Sequence, residues 1–286
     1  MIDKKMRMIV WDVKRGNSIS LRLPNGRMVM VDCGASDDFS PVSVLHSRYG
    51  VDSIHELIVT HPHADHMADL GTIQRLGMGP TVLYRPKGIS EDAIKSGNTD
   101  KSVVDSYLVA DKRYTAEVDP SDNIENSENT GGVRFRVFKP TAFSENDLNN
   151  RSLVVVVSYG NEKILLTGDC TPAAMKELIT KASFKAEIAG TTIMVAPHHG
   201  HESCYCPELM DELKKNPKLR ICIISDGKDT NEVSAANKYA SWCTGFSIWH
   251  HGIIPDSRKC LTTRKDGHIV VDVGIGVPLE IKTENL

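Results

Sequence analysis

Short apolar runs broken by turn residues fill the opening third of the chain. Arg7 to Val13, Ser18 to Leu23 and Arg27 to Asp32 are β-branched and read as strands. Gly16-Asn17 and Pro24-Asn25-Gly26 between them are turn signals. Ser40-Pro41 reads as an N-cap followed by proline at the first helical position, opening a helix to Tyr49. Ile54 to Val59 is a buried strand, and the loop from His61 to His66 sits at its C-terminal end. A helix is expected from Ala64 to Leu76.

From Gly88 to Gly131 the chain is polar, and helical or irregular. Asp119 to Asn129 reads as a solvated loop, with a lid over a site as the alternative. Strands return at Val133 to Phe138, Leu153 to Tyr159 and Lys163 to Leu166. A helix from Pro172, a strand before His198 and a helix over Pro207 to Lys214 follow. Strand Arg220 to Ile224, a helix from Val233 to Trp242 and closing strands complete an α/β pattern of two β-rich halves, each followed by helices. No short repeat interrupts it, and residues 1–286 read as one domain.

The candidate chemistry lies at strand ends. Thr60-His61-Pro62-His63-Ala64-Asp65-His66 places three imidazoles and a carboxylate within six residues, straight after Leu57-Ile58-Val59. Imidazole and carboxylate hold Zn, Mn or Fe at neutral pH, and packing has little use for such a cluster. Asp169 follows the run Ile164 to Leu166, and His198-His199 follow Ile193 to Val195. Three ligand groups at three strand ends can meet on one rim, where layered α/β folds place their sites.

These segments resemble the metallo-β-lactamase superfamily. The first matches its H-x-H-x-D-H signature, Lys163 to Asp169 its strand with a terminal bridging aspartate, and Met194 to Gly200 its later histidine turn. The resemblance implies His61 and His63 on one metal, Asp65 and His66 on a second, and Asp169 between them. It favours His199 as the further ligand, with His198 its neighbour. It also implies a four-layer αββα sandwich and two divalent ions, Zn or Mn.

Val10-Trp11-Asp12-Val13, Gly16-Asn17-Ser18-Ile19, Val31-Asp32-Cys33-Gly34, Asn149 to Val154 and a closing hairpin over Leu261 to Val271 are similar to the hydrolase domain attached to the DNA-uptake channel protein ComEC. That likeness implies a metal-dependent phosphodiesterase or nuclease. Hydrolysis of a lactam, lactone or thioester, and a metal-binding scaffold without turnover, are the alternatives. Redox di-iron relatives usually carry glutamate where His63 stands. The interval from Asp169 to His199 is too short for the inserted domain of the β-CASP nucleases.

Two-metal sites hold ions about 3.5–4 Å apart and acidify a bridging water toward a pKa of about 7. Asp65 can orient that nucleophile or take its proton, and His201 after the histidine turn is a second catalytic candidate. Three departures from the pattern stand out. Asn149-Asn150 occupy the place of a histidine ligand, and an asparagine carbonyl suits Mn or Mg better than Zn. No histidine follows Ile224 within Ser225 to Val233, although His250-His251 come later. Asn17 stands where the subgroup usually has aspartate.

Composition adds limits. At 286 residues with 40% hydrophobic content the chain can bury a substantial core. A net charge of −3 argues against broad grip on long DNA, leaving a small phosphodiester or a nucleic acid held locally by the metals. No apolar run reaches the eighteen or so residues of a membrane span. Seven cysteines without a secretory leader suit reduced thiols and a cytoplasmic location. Cys33 and Cys170 read as small core residues, Cys204 and Cys206 as residues near His201, and His46, His55 and His268 as ordinary surface or partly buried side chains.

Overall fold

The computed structural model describes residues 4–227, 234–250 and 253–285. Among them fifteen strands form two sheets. In chain order they are β1 (Lys5–Val10), β2 (Ser18–Arg22), β3 (Met28–Cys33), β4 (Glu56–Ile58), β5 (Val82–Tyr84), β6 (Arg134–Phe138), β7 (Val154–Tyr159) and β8 (Glu162–Leu166). There follow β9 (Ile193–Val195), β10 (Ile221–Ile224), β11 (Phe246–His250), β12 (Ile253–Arg258), β13 (Cys260–Thr262), β14 (His268–Gly274) and β15 (Val277–Glu284). One sheet runs β12-β11-β15-β14-β1-β2-β3-β4-β5 and the other β13-β10-β9-β8-β7-β6.

Period-two alternation sorts the apolar residues into layers. Met6, Met8 and Val10 of β1, with Val29 and Val31 of β3, face Val155, Val157, Ile164 and Leu166 across the sandwich. Their neighbours Ile9, Met28 and Met30 turn outward to pack under helices α1 (Pro41–Tyr49), α2 (Leu70–Arg75) and α4 (Lys101–Arg113), with α3 (Glu91–Ser96) beside them. On the second sheet Val154 and Val156 face α5 (Pro172–Thr180), α6 (Ala182–Ile188), α7 (Pro207–Lys214) and α8 (Ala236–Trp242). Sheets buried on both faces explain why β3 and β7 read as unbroken apolar runs. The result is the expected αββα sandwich.

The predicted α1 forms as its sequence dictates: Ser40 Oγ accepts from Ser43 N at 3.0 Å, Pro41 opens the helix, and Gly50 closes it at φ 63°. Other expectations are corrected. The helix expected from Ala64 splits into a single 3-10 turn, Ala64–His66, and α2 from Leu70. Asp69 lies in the break, where its carboxylate accepts from Ser40 Oγ and Val42 N at the start of α1. The Leu261 to Val271 segment is no hairpin. β13 lies in the second sheet beside β10, and the short helix α9 (Thr263–Asp266) carries the chain across to β14 in the first. The hairpin is β14–β15.

Asp119 to Asn129 is not a lid over the rim that carries the histidines. Ile124 is buried between the sheets, Asn129 O accepts from Asn25 Nδ2, and Asp122 lies against Arg27 and His55. Those partners sit at the starts of β3 and β4, the ends away from His61. His268 is fully inside the fold, stacked on Phe39 at 4.8 Å and edge-on to Trp11 at 5.3 Å.

Candidate metal centre

Parallel strands bring the ligand loops to one rim. β3 and β4 run parallel, as do β8, β9 and β10, so their C-terminal ends share an edge in each sheet. Leu153 N donates to Thr60 O at 2.9 Å and ties the two edges together. His61 to His66 leave β4, Asp169 leaves β8, and His198-His199 leave β9.

Asp169 sits at the centre. Its Oδ1 lies 3.3 Å from His66 Nε2, and its Oδ2 lies 3.5 Å from His199 Nε2 and 3.9 Å from both His61 Nε2 and His198 Nε2. Asp65 Oδ2 is 3.3 Å from His199 Nε2, and His63 Nδ1 is 2.9 Å from His61 Nε2. Two groups are compact enough to hold an ion: His61, His66 and Asp169, and Asp65, His66 and His199. The donor set fits a divalent metal on a second count. His66 Nε2 and His199 Nε2 are buried, face carboxylate oxygens, and have no hydrogen-bond partner. Nitrogens set against carboxylates without a hydrogen bond between them suit an ion held between the two.

Neutral His61 and His63 and ionised carboxylates suit ligands, whereas the carboxylates hold protons on His66 and His199 that a metal ion would displace. Burial, helped by His66, keeps the His61 imidazole well below its ordinary protonation range, and burial likewise lowers His63. Burial alone would raise the Asp65 and Asp169 carboxyls, but His66 and His199 outweigh it and hold both below the usual carboxylate range. Burial would lower His66 too, yet Asp169, Asp32 and Asp65 raise it well above an ordinary histidine.

An outer layer aims these ligands. His66 Nδ1 donates to Asp32 Oδ2 at 2.7 Å, and His199 Nδ1 donates to Ser225 O at 3.0 Å, which turns each Nε2 toward Asp169. Asp32 also accepts from Thr60 N, Thr60 Oγ1 and Asn17 Nδ2. An aspartate at position 17 would oppose a second carboxylate here, so the asparagine is the neutral donor that this pocket accepts. Asn98, at the end of α3, clamps the ligand loop by donating to Pro62 O and accepting from Ala64 N. Gly34 is needed because a side chain there would strike the Asp65 carbonyl. Among the described residues only Lys14, Asp32, His198 and His199 take positive φ without being glycine. Three of the four lie at this rim, where strain is tolerated when the surroundings enforce it.

Other candidates fall outside the cluster. Asn150 Nδ2 donates to Asp147 Oδ2 at 2.7 Å and its Oδ1 accepts from Thr171 N and Oγ1, so its amide ties down the start of α5. Asn149 Oδ1 is buried without a hydrogen bond. His201 is buried with its ring 5.0 Å from that of His198. His250 contacts Thr283 at 2.7 Å, five strands from β3 along the first sheet. His251 and residues 228–233 lie outside the described residues. Cys33 and Cys170 are core residues, and Cys204 touches His198 Nδ1 rather than the ligand group. Asp32 could be read from its place after Met28 to Val31, though not its duty to His66. Asn98 gives no local signal, since 32 residues separate it from His66.

A two-sheet sandwich with a histidine–carboxylate cluster on one rim is the build of a metal-binding α/β protein. Residues 11–203 match the metallo-beta-lactamase superfamily, and the chain belongs to that superfamily of metal-dependent hydrolases. No curated protein matches it in sequence. Among solved structures, the metallo-beta-lactamase fold protein YhfI from Bacillus subtilis is similar at 13% identity, over 94% of this chain and 100% of its own, with a TM-score of 0.55. A diphosphatase of the PhnP family aligns at 14% identity over 95% and 100%, with a TM-score of 0.48. Zn-bound PqqB from Methylobacterium extorquens aligns at 16% identity over 66% and 71%, with a TM-score of 0.41.

Proposed function

We propose that the chain is a two-metal phosphodiesterase or nuclease of the ComEC-like subgroup. The observation that carries this is the pair of overlapping ligand groups that share His66 and meet at Asp169. His61 and His63 with Asp169 would hold one ion, and Asp65, His66 and His199 with Asp169 the other. Zn or Mn suits this mixed nitrogen and oxygen set. When bound, the ions supply an acidified water and charge neutralisation at phosphoryl oxygens.

The chain's own groups do the rest. Asp65 is the most accessible carboxylate of the cluster, with its side chain 32% exposed, so it can hold the proton of the attacking group and orient it. Ser225 and Asp32 keep the imidazoles aimed. His201 packs behind His198, and we assign it a positioning role instead of contact with substrate. The subgroup reading draws on Asp32 and Gly34 serving the ligand loop, with Asn17 a departure from it. The substrate is a small phosphodiester or a nucleic acid gripped at the metals, since a net charge of −3 offers no broad cationic surface. Seven free thiols suit a reducing cytoplasm, and no helix among the described residues is long and apolar enough to cross a membrane.

The test is hydrolysis of bis(p-nitrophenyl) phosphate by metal-stripped protein resupplied with Mn or Zn. Turnover that depends on metal supports the reading. Hydrolysis of a lactam or thioester with none of the phosphodiester would replace it.

A further inference from the structure

We infer that His198 completes the ligand set of the first ion in place of the histidine missing at Asn149-Asn150, so that two adjacent histidines serve two different metals. The inference rests on the two-ion reading above and deepens it.

The asparagines are poorly suited to the task. Turning the Asn150 amide toward the metals would break its contacts to Asp147 and to both Thr171 donors. Asn149 offers only an amide carbonyl, which is a weak ligand for zinc. His61, His63 and Asp169 with one water would fill a tetrahedral catalytic site, and a further protein donor would raise the first ion to the five-coordination that such sites also adopt.

His198 stands where a donor is needed. Its backbone φ is 47° and that of His199 is 54°, two consecutive left-handed residues. This turn splays the rings to 5.8 Å with an interplanar angle of 86°. His199 Nε2 points to Asp65 Oδ2 as well as Asp169 Oδ2, which places it with the second ion. His198 Nε2 approaches Asp169 Oδ2 at 3.9 Å, the same separation as His61 Nε2 on that oxygen. Around a tetrahedral zinc, donor atoms lie roughly 3.4 Å apart, given zinc–nitrogen bonds of about 2.0–2.1 Å. The His198–Asp169 separation is about half an ångström beyond that spacing, and because His198 belongs to neither compact ligand group its ring must also close toward His61.

The other ring nitrogen is already committed. His198 Nδ1 lies 3.3 Å from Cys204 Sγ, in the turn Glu202–Cys204 that follows. Histidine ligands are ordinarily oriented by such an outer contact on the nitrogen that does not bind metal. The His201 ring lies alongside at 5.0 Å and 34°. This packing gives a reason for two strained residues in a row, because an ordinary turn would present only one of the two imidazoles to the rim.

The experiment is titration of the metal-stripped full chain with Zn, followed by elemental analysis and calorimetry. His198→Ala, His199→Ala, Asn149→Ala and Cys204→Ala are compared with the parent, and circular dichroism of each metal-free variant checks folding. The parent should take two ions. His198→Ala should lose one ion or weaken its binding about 10–100-fold, keeping the ion held by Asp65, His66 and His199. Cys204→Ala should weaken the same ion by a smaller factor, which serves as the readout if His198→Ala does not fold. Asn149→Ala should keep both ions. Two ions bound with parental affinity by a folded His198→Ala would overturn the assignment and leave the two-metal reading standing, as would loss of the first ion in Asn149→Ala alone. A parent chain that takes up fewer than two ions would overturn both.

Discussion

A carboxylate at zero exposure is costly unless its charge is met, and Asp32 survives because Thr60, Asn17 and His66 meet it with four hydrogen bonds. Removing it strands those donors and frees the His66 ring. Asp32→Ala is expected to cost about 1–3 kcal/mol of stability and to weaken metal binding about 10–100-fold, read by denaturant unfolding and metal titration. Unchanged metal affinity would remove Asp32 from the account. Asp65 is different, since its side chain is partly open to solvent. Asp65→Ala should fold normally by circular dichroism and lose about 10²–10⁴-fold in turnover; full activity would exclude it from the mechanism. Asp169→Ala should lower bound metal by elemental analysis, and unchanged content would contradict a bridging role. Of these residues, the first histidine group was legible because its members crowd into six positions. Asn98 and Ser225 were not, because each acts through a backbone contact that only the folded chain brings about.

At the scale of elements, the strands were legible wherever apolar positions alternated, and α1 because Ser40 and Pro41 announce it. What failed was pairing between distant segments. β13 and β14 are neighbours in sequence and lie in different sheets, a choice made by long-range partners β10 and β1. Asp69 stands just before α2, where the expected helix is interrupted, and its carboxylate is committed to α1 instead. One element carries a pH signature. Burial in β4, with Glu125 and Asp122 nearby, pushes the Glu56 carboxyl up to about 8. Its folded pKa exceeds the ordinary carboxyl value of about 4.3, so its contribution is whole in acid and is lost as pH rises through about 8. Glu56→Gln should therefore flatten the fall in stability between about pH 4.5 and 8 and be more stable than the parent by about 1–3 kcal/mol at the upper end. Parallel pH profiles for the two proteins would contradict this.

For the whole molecule, two sheets buried on both faces fix a rigid rim, and loops from both sheets converge on Asp169 across it. Folding and metal binding are thus linked. At metal concentrations about 100 times the dissociation constant the folded state gains about 2.7 kcal/mol, so a chelator should lower the melting temperature by roughly 5–10 °C. A melting temperature indifferent to chelator would mean that the rim holds no ion in solution. The layer order was foreseeable from the family likeness and the alternating pattern. The partners of this rim were not, because a net charge of −3 names no substrate. The most direct test is cleavage of single- and double-stranded DNA and of bis(p-nitrophenyl) phosphate by metal-stripped protein resupplied with Mn or Zn, beside Asp65→Ala. The account predicts that phosphodiester cleavage returns with metal and is lost in the variant. Absence of cleavage of all three substrates under either metal, in protein shown to hold two ions, would contradict it.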